Sequence, residues 1–119
     1  LLEFSTLTGA VKVALGNEIA GIFCNDDGLA SELFKAGQET CEPVWRLPVT
    51  EEHREDMRSN VADLNNKGKS VSGGASKAAA FLEFFVEKGV KWAHIDIAGT
   101  AFREGEKFVY SNGATGYGV

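Results

Sequence analysis

Cysteine and proline each occur only twice in this chain of 119 residues, and methionine once. Two cysteines, Cys24 and Cys41, are too few for a disulfide framework. Neither lies in a Cys-x-x-Cys pair or at zinc-ligand spacing, so they read as thiols in a reducing compartment. Positive charge is also short. Twelve Lys and Arg stand against seventeen Asp and Glu, for a net charge of −5. That argues against a nucleic-acid binder, which needs concentrated positive charge to meet phosphates. No apolar run approaches the ~20 residues that span a bilayer. The chain opens on Leu1 with no charged stretch before an apolar core, so no signal peptide is read in it. The expectation is that the start was removed or that the chain is a piece of something longer.

Glycine, in contrast, is abundant at 14 residues, and it falls mainly where apolar segments meet. That punctuation suits alternating strands and helices. Leu2 to Leu7 reads as a buried strand, and Ala10 to Leu15 as a helix closed by Gly16. Ile19 to Cys24 is a second strand. Asn25, Asp26 and Asp27 supply cap oxygens for a helix from Gly28 to Ala36, with Gly37 as its stop. Val44 to Leu47 is a short strand ended by Pro48. Thr50 then caps a polar helix over Glu51 to Ser59, acidic first and basic last, the order the helix dipole favours. A Gly/Ser/Lys-rich loop covers Asn65 to Gly74. Ala75 to Lys88 has helical periodicity, Trp92 to Ala98 is the clearest strand, and Gly113 to Val119 runs toward a final strand. The expected fold is α/β: a layered mixed β-sheet flanked by helices.

Few residues carry chemistry on their own. His53, within Glu51-Glu52-His53-Arg54-Glu55-Asp56, reads as part of a solvated helix face. His94 and Asp96 share one face of a strand, the spacing of a catalytic dyad or of a packed polar face. No nucleophile-elbow pattern accompanies them, so the packed face is preferred. Gly68-Lys69-Ser70 looks like the end of a phosphate loop. The first glycine of that motif falls on Asp63, and no apolar strand precedes it. Gly113, Gly116 and Gly118 lack dinucleotide-binding spacing and read as tight turns.

Whole phrases say more than single residues. Ser5-Thr-Leu-Thr-Gly-Ala10, Glu42-Pro-Val-Trp-Arg-Leu-Pro48 and Trp92-Ala-His-Ile-Asp-Ile-Ala-Gly-Thr-Ala101 occur in that order. Asn25-Asp26-Asp27, Gly73-Gly74-Ala75 and Gly113-Ala-Thr-Gly-Tyr-Gly-Val119 are collinear with them. Together they resemble the leucyl (cytosol) aminopeptidases, which are two-metal exopeptidases. The resemblance covers essentially the whole chain. It implies a partial zinc-peptidase-like domain, with residues 1–119 as the C-terminal portion of the catalytic domain.

The family's Asn-Thr-Asp-Ala-Glu-Gly-Arg motif does not occur in this sequence. The resemblance therefore assigns these residues no metal ligand and no catalytic group. It implies two divalent ions, zinc or manganese, and a bicarbonate base held by an arginine, all from upstream of Leu1. On the substrate side it implies that Thr6, Leu7 and Gly9 line the first residue of a bound peptide. Ala98 and Ala101 would form part of the pocket for that residue's side chain. Peptide substrates, a homo-hexamer and a cytoplasmic location (or an organelle behind a transit segment) follow in the same way. The alternative is an inactive aminopeptidase-like scaffold that keeps the fold. Glu3 stands where the family usually has Asp, residues 67–72 lack its Gly-Gly-Arg phrase, and Lys77 replaces a small residue or Thr.

Overall fold

A computed structural model describes residues 1–105 and 112–119. Its centre is a four-stranded mixed sheet in the order β1-β4-β2-β3. The strands are β1 (Leu2–Ser5), β2 (Ala20–Cys24), β3 (Val44–Arg46) and β4 (Ala93–Asp96). β1 runs parallel to β4, β2 antiparallel to β4, and β3 parallel to β2. The helices are α1 (Gly9–Leu15), α2 (Asp27–Glu39), α3 (Glu51–Asp56) and α4 (Gly74–Glu83). A two-residue ladder, β5 (Phe102–Arg103) with β6 (Gly113–Ala114), stands apart from the sheet.

The expected α/β layering is therefore present, and alternation along the strands explains it. Phe23 packs with Val11, Ala75, Ala79 and Trp92 on one face, toward α1 and α4. Ala20, Ile22, Val44, Ala93 and Ile95 form a second buried cluster on the other face, joined by Leu29 and Leu33 of α2. Successive strand residues point to opposite faces, so one four-stranded sheet feeds two cores.

Several element ends differ from the sequence expectation, each for a local reason. β1 stops at Ser5 rather than Leu7, because the Leu7 and Thr8 N–H groups donate to the Asp96 side chain. β4 stops at Asp96 rather than Ala98, since the Ala98 N–H bonds the same carboxylate. Gly37 does not end α2. It lies inside the helix, and it is glycine for a packing reason, since a Cβ there would come within 2.6 Å of the Glu42 carbonyl oxygen. The chain turns at Cys41 instead, with a φ of 59°. α3 ends at Asp56 rather than Ser59, and the Asn65 N–H reaches back to the Met57 carbonyl at 2.7 Å. α4 ends at Glu83 rather than Lys88. Phe85 and Val86 bond three residues back, in the tighter turn that often closes a helix. Of Gly113 to Val119 only Gly113–Ala114 is strand, and it pairs with β5 rather than joining the main sheet.

Asp26 caps a helix as the sequence expected, whereas Thr8 is a cap that the sequence reading did not assign. Thr8 and Asp26 accept from Val11 and Leu29 at the starts of α1 and α2. That bond and the Lys91 ammonium hold the Asp26 carboxyl below its usual range. The loop before α4 is tied down by Lys77, whose Nζ lies 2.7 Å from Asp56 and 2.8 Å from Ser70 Oγ. The unusual lysine and the unusual loop are thus partners. Arg54 of α3 forks onto Glu83 of α4 at 2.8 and 3.1 Å, the two-pronged geometry that a guanidinium offers a carboxylate.

Candidate functional site

β1 and β4 are adjacent and parallel, so their carboxyl ends lie side by side. Ligand sites in open α/β sheets commonly form beyond such ends. Thr6 to Gly9 leaves one strand end and Ile97 to Ala101 leaves the other. Asp96 stands between them, fully buried. Its carboxylate accepts from Leu7 N at 3.2 Å, Thr8 N at 3.1 Å, Thr8 Oγ1 at 2.7 Å and Ala98 N at 3.1 Å. Acceptance from every side is what a carboxylate provides and a neutral amide does not.

The five expected substrate residues fall around this anchor in two groups. Thr6 and Leu7 are exposed, and Gly9 opens α1 with nothing within 4 Å of where a Cβ would sit. Packing within the described residues therefore does not require the glycine. Ala98 and Ala101 are half-buried in the second loop. Thr100 and Ala101 donate to the Ile97 carbonyl, and Thr115 braces the turn through the Thr100 and Ala101 carbonyls. Gly99 is tightly placed, since a Cβ there would collide with the Gly16 carbonyl oxygen. Ala98 lines an open cleft of about 470 Å³ with Lys12, Glu18, Phe102, Arg103 and Glu104. The walls around Ala98 are thus charged in large part, whereas small apolar residues alone suggested an apolar pocket.

His94 and Asp96 do not form a dyad. His94 Nδ1 pairs with Glu3 across the β1–β4 ladder, and its ring stacks on Phe23 at 5.6 Å. Asp96 holds the loops. His53 is not a freely solvated side chain, because its Nδ1 accepts from the Thr50 N–H at 3.0 Å and closes the start of α3. Both cysteines are free thiols. The anchoring role of Asp96 was missed in the sequence. The available signal was an acid closing an apolar strand, directly before the small-residue turn Ala98-Gly99.

Among the described residues, no three His, Cys, Asp or Glu side chains converge on a metal position. The acids that are well placed already have partners: Glu3 on His94, Asp56 on Lys77, Asp96 on the loops. These residues do not fit a two-metal centre. Among the described residues no helix is long and apolar enough to cross a membrane.

Two parallel strands whose ends share one buried carboxylate, with small-residue loops beyond it, define a mixed-sheet α/β domain with a candidate binding edge. Residues 1–119 match the sequence pattern of the cytosol aminopeptidase family, catalytic domain, and the chain belongs to that family. It is 50% identical to a probable cytosol aminopeptidase of Chlorobium limicola, over all of this chain and 23% of that protein. It is 48% identical to one of Chlamydia abortus, over all of this chain and 24% of that protein. A solved structure of a mutant tomato leucine aminopeptidase superposes with a TM-score of 0.88 at 42% identity, covering 98% of this chain and 22% of that one. The chain thus spans about a quarter of the length of the curated relatives it matches.

Proposed function

We propose that the protein containing these residues is a metal-dependent leucyl-type aminopeptidase that hydrolyses N-terminal residues from peptides. In this reading residues 1–119 are the C-terminal portion of its catalytic domain. The observation that carries it is the family match over residues 1–119. Two divalent ions, zinc or manganese, would bind and activate water and polarise the scissile carbonyl. Their ligands, and the arginine for a bicarbonate base, lie outside these residues in this reading.

These residues form the substrate side. Thr6, Leu7 and Gly9 line the first residue of the peptide. The Leu7 N–H is committed to Asp96, so Leu7 offers its carbonyl oxygen as an acceptor. Gly9 lies at the helix start, where the first N–H groups lack partners within the helix. The open space at its missing Cβ supports close approach of a ligand there. Ala98 and Ala101 receive the side chain. In this open and largely charged cleft a leucine-sized group leaves water only in part, so its burial contributes less than the ~1.5–3 kcal/mol of a fully enclosed side chain. A homo-hexamer in the cytosol completes the reading.

The test is hydrolysis of a leucine chromogenic amide by the full-length protein with Mn²⁺ or Zn²⁺. Metal-stimulated release of the chromophore is expected, and its absence at every metal concentration would sink the proposal.

A further inference from the structure

We infer that Asp96 is a positioning residue that sets the spacing between the two halves of the substrate site, and through it the size of the first residue accepted. This rests on the aminopeptidase reading above.

The carboxylate is fully buried, and among the described residues no cation is paired with it. Its neighbours across the sheet are Ser5 of β1 and Gly21 of β2, and neither brings a charge. The compensation is therefore the set of hydrogen bonds, and those come from both loops. Leu7 and Thr8 donate from one side, Ala98 from the other. A buried carboxylate that loses a donor is left short of solvation, which is costly in a low-dielectric interior. Neither loop can shift alone without that cost. Thr8 extends the linkage, because the hydroxyl that donates to Asp96 also accepts from Val11 N at the start of α1. One carboxylate thus holds the Leu7–Gly9 backbone and the Ala98 turn in fixed relation. Side-chain room at Ala98 and backbone contact at Leu7 and Gly9 are then set together.

The experiment uses the full-length protein, its Asp96→Asn variant and the milder pair Thr8→Val and Thr8→Ser. Asn keeps the shape but places an NH₂ among N–H donors, while Val removes only the hydroxyl. Amide hydrogen exchange is read at residues 6–9 and 98–101, and needs no activity. In Asp96→Asn, exchange is expected to rise about tenfold or more in both segments together, since one buried acceptor is shared. Exchange in β2 and α2 should stay unchanged. Thr8→Val should move both segments in the same direction by less, and Thr8→Ser should match the parent. With leucyl and alanyl amides, Asp96→Asn should lower leucyl kcat/KM about 100-fold, mainly through KM. The leucine-over-alanine preference should narrow about tenfold.

Loosening of one segment without the other overturns the inference, as does an equal fall for both substrates. If Asp96→Asn does not fold, the Thr8 pair decides. If the unmodified protein cleaves neither amide, the aminopeptidase reading fails and the exchange coupling alone decides this inference.

Discussion

The two faces of the main sheet hold together by different means. On the α2 face, Ala20, Ile22, Val44, Ala93 and Ile95 form a buried cluster of apolar side chains. On the α1 and α4 face, Phe23 and Val11 share the interior with His94 and Asp96, both fully buried. Contacts on the first face are non-directional and scale with area. Contacts on the second depend on placing each donor against one acceptor. The first face fills volume, whereas the second fixes where Thr6 to Gly9 and Ala98 to Ala101 stand. The directional face is the one that carries the site.

The sharpest way to break this contrast is Asp96→Ala. Three N–H groups and a hydroxyl lose their acceptor, and a loss of about 4 kcal/mol is expected. Urea unfolding of the full-length protein measures it; a loss near zero would show that the bonds do not matter. On the apolar face, Ile22→Ala should cost about 3 kcal/mol through the cavity it leaves. Unlike Asp96→Ala, it should leave exchange at residues 6–9 unchanged, so loosening there would blur the two faces. Gly99→Ala forces a methyl against the Gly16 carbonyl, at about 2 kcal/mol by overpacking. Its thermal midpoint should fall visibly below that of Gly9→Ala, whose methyl enters open space; the reverse order would contradict the packing. Ile95→Val removes one methylene from the α2 face and should cost about 1 kcal/mol. A larger loss would mean that this face is as position-specific as the other.

The smallest effect lies away from the sheet. Its hydrogen bond with Lys77 holds the Asp56 carboxyl below its ordinary value of 3.8, with the lysine's charge and the Lys69 N–H adding to it. A lowered folded-state value means that this group's stabilisation is present above the unfolded value and is lost as pH falls through the folded one. An acid titration should therefore show stability declining below about pH 4, and Asp56→Asn should flatten that decline slightly. An unchanged profile would show that the pair contributes nothing measurable. At the other end, burial and the charge of Glu42 push the Tyr117 hydroxyl up to about 12. It stays a donor to the Glu42 and Pro43 carbonyls throughout that acid range.

Much of this was legible from the residues. The apolar runs at β2 and β4 mark strands buried on both faces, whereas β1, expected to be buried, and β3 are edge strands that stay partly exposed. Asp26 marks the start of α2, because its carboxylate accepts from the free Leu29 N–H there, and Thr50 marks that of α3, where its own N–H donates to the His53 ring. Family membership was carried by the order of short phrases from Ser5 to Val119. Ends were harder to read. Gly37 has the look of a helix stop, yet it is needed for close approach to Glu42, a contact made only once the chain has turned back. Lys77 and residues 67–72 looked like separate oddities, and only the fold brings the lysine onto Asp56 and Ser70.

The sequence by itself determined the α/β class, the main strands and helix starts, and the family, since these depend on local periodicity, cap chemistry and linear order. Only the tertiary structure decided the strand order β1-β4-β2-β3, the Glu3–His94 pairing and the role of Asp96. Asp96 and the Leu7–Thr8 N–H groups it accepts from lie almost ninety residues apart. Hydrogen bonds depend on distance in space, and no spacing along the chain records that.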